Sequence, residues 1–265
     1  NTLAEEVSQS DSDGQIVPCE LDQNDDQAVR NYVQSFQTKE NRIDLLVNSA
    51  YAGLVAIAPH CGKPFWERPI SVFDASLMIG LRSSYVMSKL IVPSMIKNNN
   101  GLILQISSYG GFYYLFDVGY GVAHAAMDRL SCDMAIELKE HNVKAITLHP
   151  GGGQTEITAF PDGESPKFVG RAVYALIEKA DHSFLSKSNG KTLFTIDLAK
   201  KFDFREDYDH DGSINEARYE NSKPIKEMML KALPQYDSES PLPSFKDTNN
   251  SGFADLFPGA KNKKL

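Results

Sequence analysis

Four stretches of the sequence carry residues able to do chemistry. Tyr120 and His124 stand four residues apart, so on a helix they share one face, one turn apart. A tyrosine acts as a general acid or base when its pKa, ordinarily about 10, is pulled down by a neighbouring positive charge. Ser107 and Ser108 follow the run Gly101-Leu-Ile-Leu-Gln-Ile106, and a serine hydroxyl within reach can orient a reacting carbonyl. Asn48-Ser-Ala-Tyr-Ala-Gly53 follows Val47. Its small residues and glycine would let a ligand approach the backbone closely, and they equally suit a tight turn. His149-Pro-Gly-Gly-Gly-Gln-Thr155 is a rigid bend with glycines beside a hydroxyl.

The elements that must position these residues follow from apolar spacing. Gln15-Ile-Val-Pro-Cys-Glu-Leu21 reads as a strand after the turn residues Ser12-Asp-Gly14. Ala28, Val29, Tyr32, Val33 and Phe36 give 25–37 the spacing of an amphipathic helix. Strands are expected at 43–47, 101–106, 143–148 and 191–196, with helices over 71–97, 120–141 and 168–179. Strands separated by helices of this length pair in parallel through right-handed crossovers, which gives a doubly wound α/β sheet. Such sheets bind ligands at the carboxyl ends of their strands, where the stretches after Val47, Ile106 and Leu148 lie. No internal repeat is apparent. Beyond Asp203, polar residues and proline dominate without a sustained period, so residues 1–202 read as one domain and 203–265 as a loop-rich extension.

Composition narrows the function. The 265 residues carry 27 Lys and Arg against 35 Asp and Glu, a net charge of −8, which argues against nucleic acid or anionic membrane as a partner. Cys19, Cys61 and Cys132 are widely spaced and form no CxxC, which fits buried thiols in a reducing, cytoplasmic setting. No run is long and apolar enough to cross a bilayer, and no signal peptide is visible after Asn1.

The ordered series of motifs resembles the short-chain dehydrogenase/reductase (SDR) family over residues 15–200. It comprises Asp22, Leu45-Leu-Val-Asn-Ser-Ala-Tyr-Ala-Gly53, Gly80-Leu-Arg82, Ile106-Ser-Ser108, Tyr120-Gly-Val122 and Glu137-Leu138. Pro150-Gly151 with Thr155, Ser165-Pro166, Val169-Gly-Arg-Ala172 and Gly190-Lys191 complete it. The resemblance implies a Rossmann fold and NAD- or NADP-dependent interconversion of a carbonyl and an alcohol. By resemblance, Tyr120 is the proton donor and Ser108 its partner on the carbonyl oxygen, with Ser107 as competitor. Asp22 resembles the contact to the adenine edge. Asn48, Ala50 and Gly53 resemble the strip under the cofactor, and Pro150, Gly151 and Thr155 the loop flanking the nicotinamide. The implied substrate is a small, apolar carbonyl or alcohol, and a homodimer through the helix 120–141 is left open.

The departures from the family pattern carry equal weight. His124 stands where the family has a lysine that holds the nicotinamide ribose and supplies the positive charge beside the tyrosine. Met78 replaces an asparagine of a proton relay, and Ser49 replaces a second asparagine. None of the 18 glycines forms the pyrophosphate turn, so we expect a fold truncated at its N-terminus, lacking the first βαβ unit. An alternative function is therefore a catalytically impaired pseudo-oxidoreductase, or a gene fragment, with a binding or regulatory role. Residues 207–218 match the opening of a calcium loop, but Arg218 stands at the position of its bidentate glutamate, which weighs against calcium. His60 and His149 lack partners at metal-ligand spacing, so no metal is expected. Phe65, Trp66 and Phe73 are expected to pack over the substrate end.

Overall fold

Residues 101–106 and 143–149 are mostly apolar, the composition of strands covered on both faces. In the computed structural model, which describes residues 16–39, 42–112, 114–155, 157–158, 163–207 and 213–232, they form the centre of a parallel sheet. Its strands are β1 (Leu45–Asn48), β2 (Gly101–Ile106), β3 (Val143–His149) and β4 (Thr192–Phe194), hydrogen-bonded in chain order. Leu45 lies opposite Leu102, Ile103 opposite Ala145 and Leu148 opposite Leu193.

Side chains alternate across a strand, and two cores result. Ile103 and Ala145 pack with Val33 of α1 (Asp26–Lys39), Met95 of α4 (Ser83–Lys97) and Ala135 of α5 (Val118–Glu137). Leu104, Ile146 and Leu148 pack on the other face with Ala172 of α6 (Pro166–Tyr174) and Leu198 of α8 (Thr195–Phe202). Burying each of the Val, Leu, Ile and Met side chains contributes about 1.5–3 kcal/mol relative to exposure. The short helices α2 (Gly53–Ile57), α3 (Ile70–Ser76) and α7 (His182–Ser188) fill the connections.

Several expectations are corrected. Residues 16–20 are exposed and form no strand, Val17 being 75% accessible. A ladder needs a partner, and the described residues offer none to this segment. The helix expected over 71–97 is broken at Leu77–Arg82, where Gly80 takes φ +144°. Glycine is required there both for the backbone angle and because a Cβ would sit 2.7 Å from the Tyr51 ring. The break turns the Ile79 carbonyl to accept from the Ala52 amide at 3.1 Å. The last strand stops at Phe194, and Thr195 already begins α8. Helix α5 starts at Val118 because Asp117 caps it, accepting from the Gly119 amide at 2.6 Å.

The region read as loop-rich contains a 20-residue helix, α9 (Ser213–Ala232). It docks on α8 through Lys200, which pairs with Glu216 at 3.1 Å and lies 3.8 Å above the Tyr219 ring. These contacts are largely polar and one-sided, so they leave no hydrophobic repeat to read. Cys19 and Cys61 are exposed and only Cys132 is buried. Phe65 and Trp66 are 62% and 72% accessible, stacked edge-on against each other at 5.3 Å. The turn that carries them buries Arg68 instead.

Candidate active site

Arg68 and Asp117 form an ion pair whose side chains are 5% and 6% exposed. The guanidinium also donates to the Lys63 carbonyl at 2.8 Å and to the Phe116 carbonyl at 3.3 Å. The same Asp117 caps α5, so the connection 61–69 is fastened to the start of the helix that carries Tyr120 and His124.

Beyond β2 the Ser107 amide still donates to the Leu148 carbonyl, and the chain then turns at Tyr109–Gly111. That turn separates the two serines. Ser108 Oγ accepts from the Gly110 amide at 3.2 Å and from Tyr120 Oη at 2.8 Å. Ser107 is buried and turned the other way, its hydroxyl donating to the His124 carbonyl at 3.3 Å, with His124 Nδ1 at 3.4 Å. The geometry therefore brings Ser108, not Ser107, to the phenol.

His124 is 4% exposed. Its ring lies 4.2 Å from that of Tyr120 and 4.8 Å from that of Tyr51, and its Nε2 has no hydrogen-bond partner among the described residues. Burial, reinforced by His149, pushes its pKa down to about 3, so the imidazole is neutral at physiological pH. It supplies no positive charge to the phenol beside it. Burial also holds the Tyr51 phenol well above its ordinary range. Beneath the site, His149 and Asp128 are both fully buried, with Nε2 2.9 Å from one carboxylate oxygen. The rings of Tyr109, Phe112 and Phe194 surround that imidazole.

Ser107, Ser108, Tyr120 and His124 line one cavity of about 560 Å³. Pro150–Gly153, Thr155 and Thr158 form a second side, with Tyr51, Leu54, Leu115 and Phe116 near the phenol. Glu164 and three residues of α9, Arg218, Asn221 and Ser222, close the far wall. Of the residues singled out in the sequence, Ser108, Tyr120, His124, Pro150, Gly151 and Thr155 thus meet at one place. Asn48, Ala50 and Gly53 do not line the cavity. Asn48 donates to Ser88 Oγ at 3.2 Å, Ala50 is exposed at the end of β1, and Gly53 is buried where α2 begins. Asp22 is exposed and caps the Asn24 amide at 2.9 Å. Met78 is 36% accessible in the turn before Gly80.

Sequence reasoning missed Arg68 and Glu164, and met Arg218 only as the residue that spoils a calcium loop. Beside Glu164, Ser165-Pro166 marks a helix start: Ser165 Oγ accepts from the Phe168 amide at 3.1 Å. Of the calcium-loop match at 207–218, residues 208–212 lie outside the described residues. Asp207 pairs with Arg171 and, at 3.8 Å, with Lys167, while Arg218 donates to the Gly163 carbonyl at 3.2 Å. Among the described residues no group of three or more His, Cys, Asp or Glu could hold a metal ion, and no helix is long and apolar enough to cross a membrane.

A sheet of this topology with a tyrosine–serine pair at its carboxyl edge defines a class of protein, and comparison with known proteins agrees. The family description "short chain dehydrogenase" matches residues 1–163. The chain belongs to the short-chain dehydrogenase/reductase family. Among its relatives, human dehydrogenase/reductase SDR family member 1 is 36% identical over 214 residues, covering 73% of this chain and 67% of the human one. Escherichia coli K12 7alpha-hydroxysteroid dehydrogenase is 29% identical over 157 residues, 59% of this chain and 58% of that one. Two solved structures share the fold. A 7 alpha-hydroxysteroid dehydrogenase complexed with NADH and 7-oxo glycochenodeoxycholic acid has a TM-score of 0.61 and 23% identity, covering 73% of this chain and 77% of its own. A metagenomic short-chain oxidoreductase in complex with NADP has a TM-score of 0.59 and 22% identity, covering 73% and 78%.

The described residues fit one end of such a dinucleotide. The backbone at Gly151–Gly153 offers the cavity a wall without side chains, and a Cβ on Gly151 would already meet Glu164 Oε1 at 3.0 Å. At the other end, they place no glycine-rich turn on a helix N-terminus for the pyrophosphate.

Proposed function

We propose that this chain performs NAD(P)-dependent interconversion of a carbonyl and an alcohol, with Tyr120 as proton donor to the carbonyl oxygen and Ser108 orienting that oxygen. The observation that carries this reading is the 2.8 Å hydrogen bond between Tyr120 Oη and Ser108 Oγ at the edge of one cavity. A carbonyl oxygen placed between the two hydroxyls would be polarised by both. The dinucleotide, when bound, supplies or takes up the hydride. Pro150, Gly151 and Thr155 would flank its nicotinamide, and Asn48, Ala50 and Gly53 the strip beneath. Asp22 is assigned to the adenine edge by resemblance. Tyr51, Leu54, Leu115 and Phe116 favour an apolar substrate, in keeping with the steroid named with one of the related structures. Assembly as a homodimer would use α5, whose Val118 and Val122 are exposed. Tyr120→Phe tests the assignment: turnover falls about 10²–10⁴-fold, the usual worth of a positioned acid, while cofactor affinity holds. Retained turnover in that variant would remove Tyr120 from the mechanism.

One observation favours a second reading, a pseudo-oxidoreductase that keeps the fold and a binding or regulatory role. His124, which by the resemblance stands at the family's lysine position, is a buried neutral ring. His124→Lys separates the two readings. A rate gain of tenfold or more marks the native site as impaired, whereas an appreciable native rate that the substitution leaves unchanged shows that histidine suffices.

A further inference from the structure

The far wall of the cavity contains an acid that the proposed reaction does not use. Glu164 is 5% exposed and accepts from Thr195 Oγ1 at 2.6 Å and from the Gly151 backbone. Its own backbone is joined to the glycine loop: the Glu164 amide donates to the Gly152 carbonyl at 2.7 Å, and the Gln154 amide to the Glu164 carbonyl at 2.9 Å. One residue therefore ties the cavity wall to the start of α8.

Its charge is poorly provided for. Glu206, also buried, accepts from Ser165 N at 2.8 Å, Ser165 Oγ at 2.5 Å and Asp207 N at 3.1 Å, and lies 3.8 Å from Arg218 Nη1. Two buried carboxyls thus share one guanidinium, and Glu206 holds most of the donors. Burying a carboxylate beside another favours its neutral form.

We propose that Glu164 is a positioning residue that clasps the Gly151–Gln154 strip against Thr195 while protonated and lets this wall of the cavity open when it ionises. The proposal rests on the reading above only in taking this strip as the wall of the reaction site. Burial, with Glu206 adding to it, raises the Glu164 pKa from 4.5 to about 7, against the opposing pull of Thr195, Gly151 and Arg218. With the wall open, the carboxylate meets water and titrates near its ordinary value. Linkage then fixes the sign: opening rises close to tenfold per pH unit between 4.5 and about 7 and levels off above.

Hydrogen exchange of the Gln154 and Glu164 amides in the full chain tests this without reference to enzymatic activity. After correction for intrinsic exchange, opening should increase by more than tenfold from pH 5 to pH 8. Glu164→Gln, permanently neutral, should stay protected and pH-independent. Arg218→Met, which removes a charge favouring ionisation, should carry the rise to higher pH. A wild-type opening constant that is flat from pH 5 to 8 overturns the proposal even if no variant folds. So does a slope that Glu164→Gln leaves intact. Loss of turnover in Tyr120→Phe bears on the reaction alone and moves none of these curves.

Discussion

The two walls of the cavity shift their titrating groups in opposite directions for one reason, burial. On the reaction wall, His124 is a base that burial keeps neutral, its pKa pushed down to about 3. On the far wall, Glu164 is an acid whose pKa burial pushes up to about 7, so it is neutral below that pH and ionised above it. Desolvation penalises whichever form is charged, so one environment moves a base down and an acid up. Below about pH 7 both side chains are therefore uncharged, while the buried Asp117 and Glu206 are each set against an arginine, Arg68 and Arg218.

The largest test of the reaction wall is Tyr120→Phe, with its expected loss of about 10²–10⁴-fold in turnover. Next comes the charge pair that anchors it. Arg68→Met leaves Asp117 buried and unpaired at the start of α5 and should cost about 3–5 kcal/mol in denaturant unfolding. Removing both partners with Arg68→Met and Asp117→Asn should cost less than the first substitution alone. An Arg68→Met protein as stable as wild type would show that the pair does not hold the helix.

The comparison itself is sharpened by pH. A depressed base contributes stability that is present above its ordinary value of 6.5 and is lost as pH falls towards about 3. A raised acid contributes stability that is present below 4.5 and is lost as pH rises to about 7. Each slope is worth up to about 1.4 kcal/mol per pH unit. Between pH 4.5 and 6.5 the two oppose each other, so wild-type unfolding should vary little there on their account. His124→Gln should expose the Glu164 slope, with stability relative to wild type falling as pH rises. Glu164→Gln should expose the opposite one. Difference curves without pH dependence in both variants would break the symmetry of the two walls.

Much of the reaction wall was legible because its signals are local. Apolar runs ending at Val47, Ile106 and Leu148 mark strand ends, and the four-residue spacing of Tyr120 and His124 is a property of one helix. The strand expected at 15–21 failed for the opposite reason, since a strand is defined by its neighbour. Helix α9 was missed because the face it docks with, which includes Arg218, Tyr219 and Ser222, is mostly polar and leaves no apolar stripe to read.

The sequence by itself determined the parallel α/β architecture, the family, and the gathering of Ser108, Tyr120 and the Pro150–Thr155 loop at strand ends, because alternation, helical spacing and turn residues act over a few positions. Only the tertiary structure decided that Ser108 faces the phenol while Ser107 faces away, that His124 is neutral, and that Glu164 and Arg218 stand at the same cavity. Those outcomes depend on distance and on exclusion of water between residues well apart in the chain, from 12 positions for Ser108 and Tyr120 to 98 for Tyr120 and Arg218. Solvation and Coulomb energies are functions of that separation in space, which no local pattern of residue types encodes.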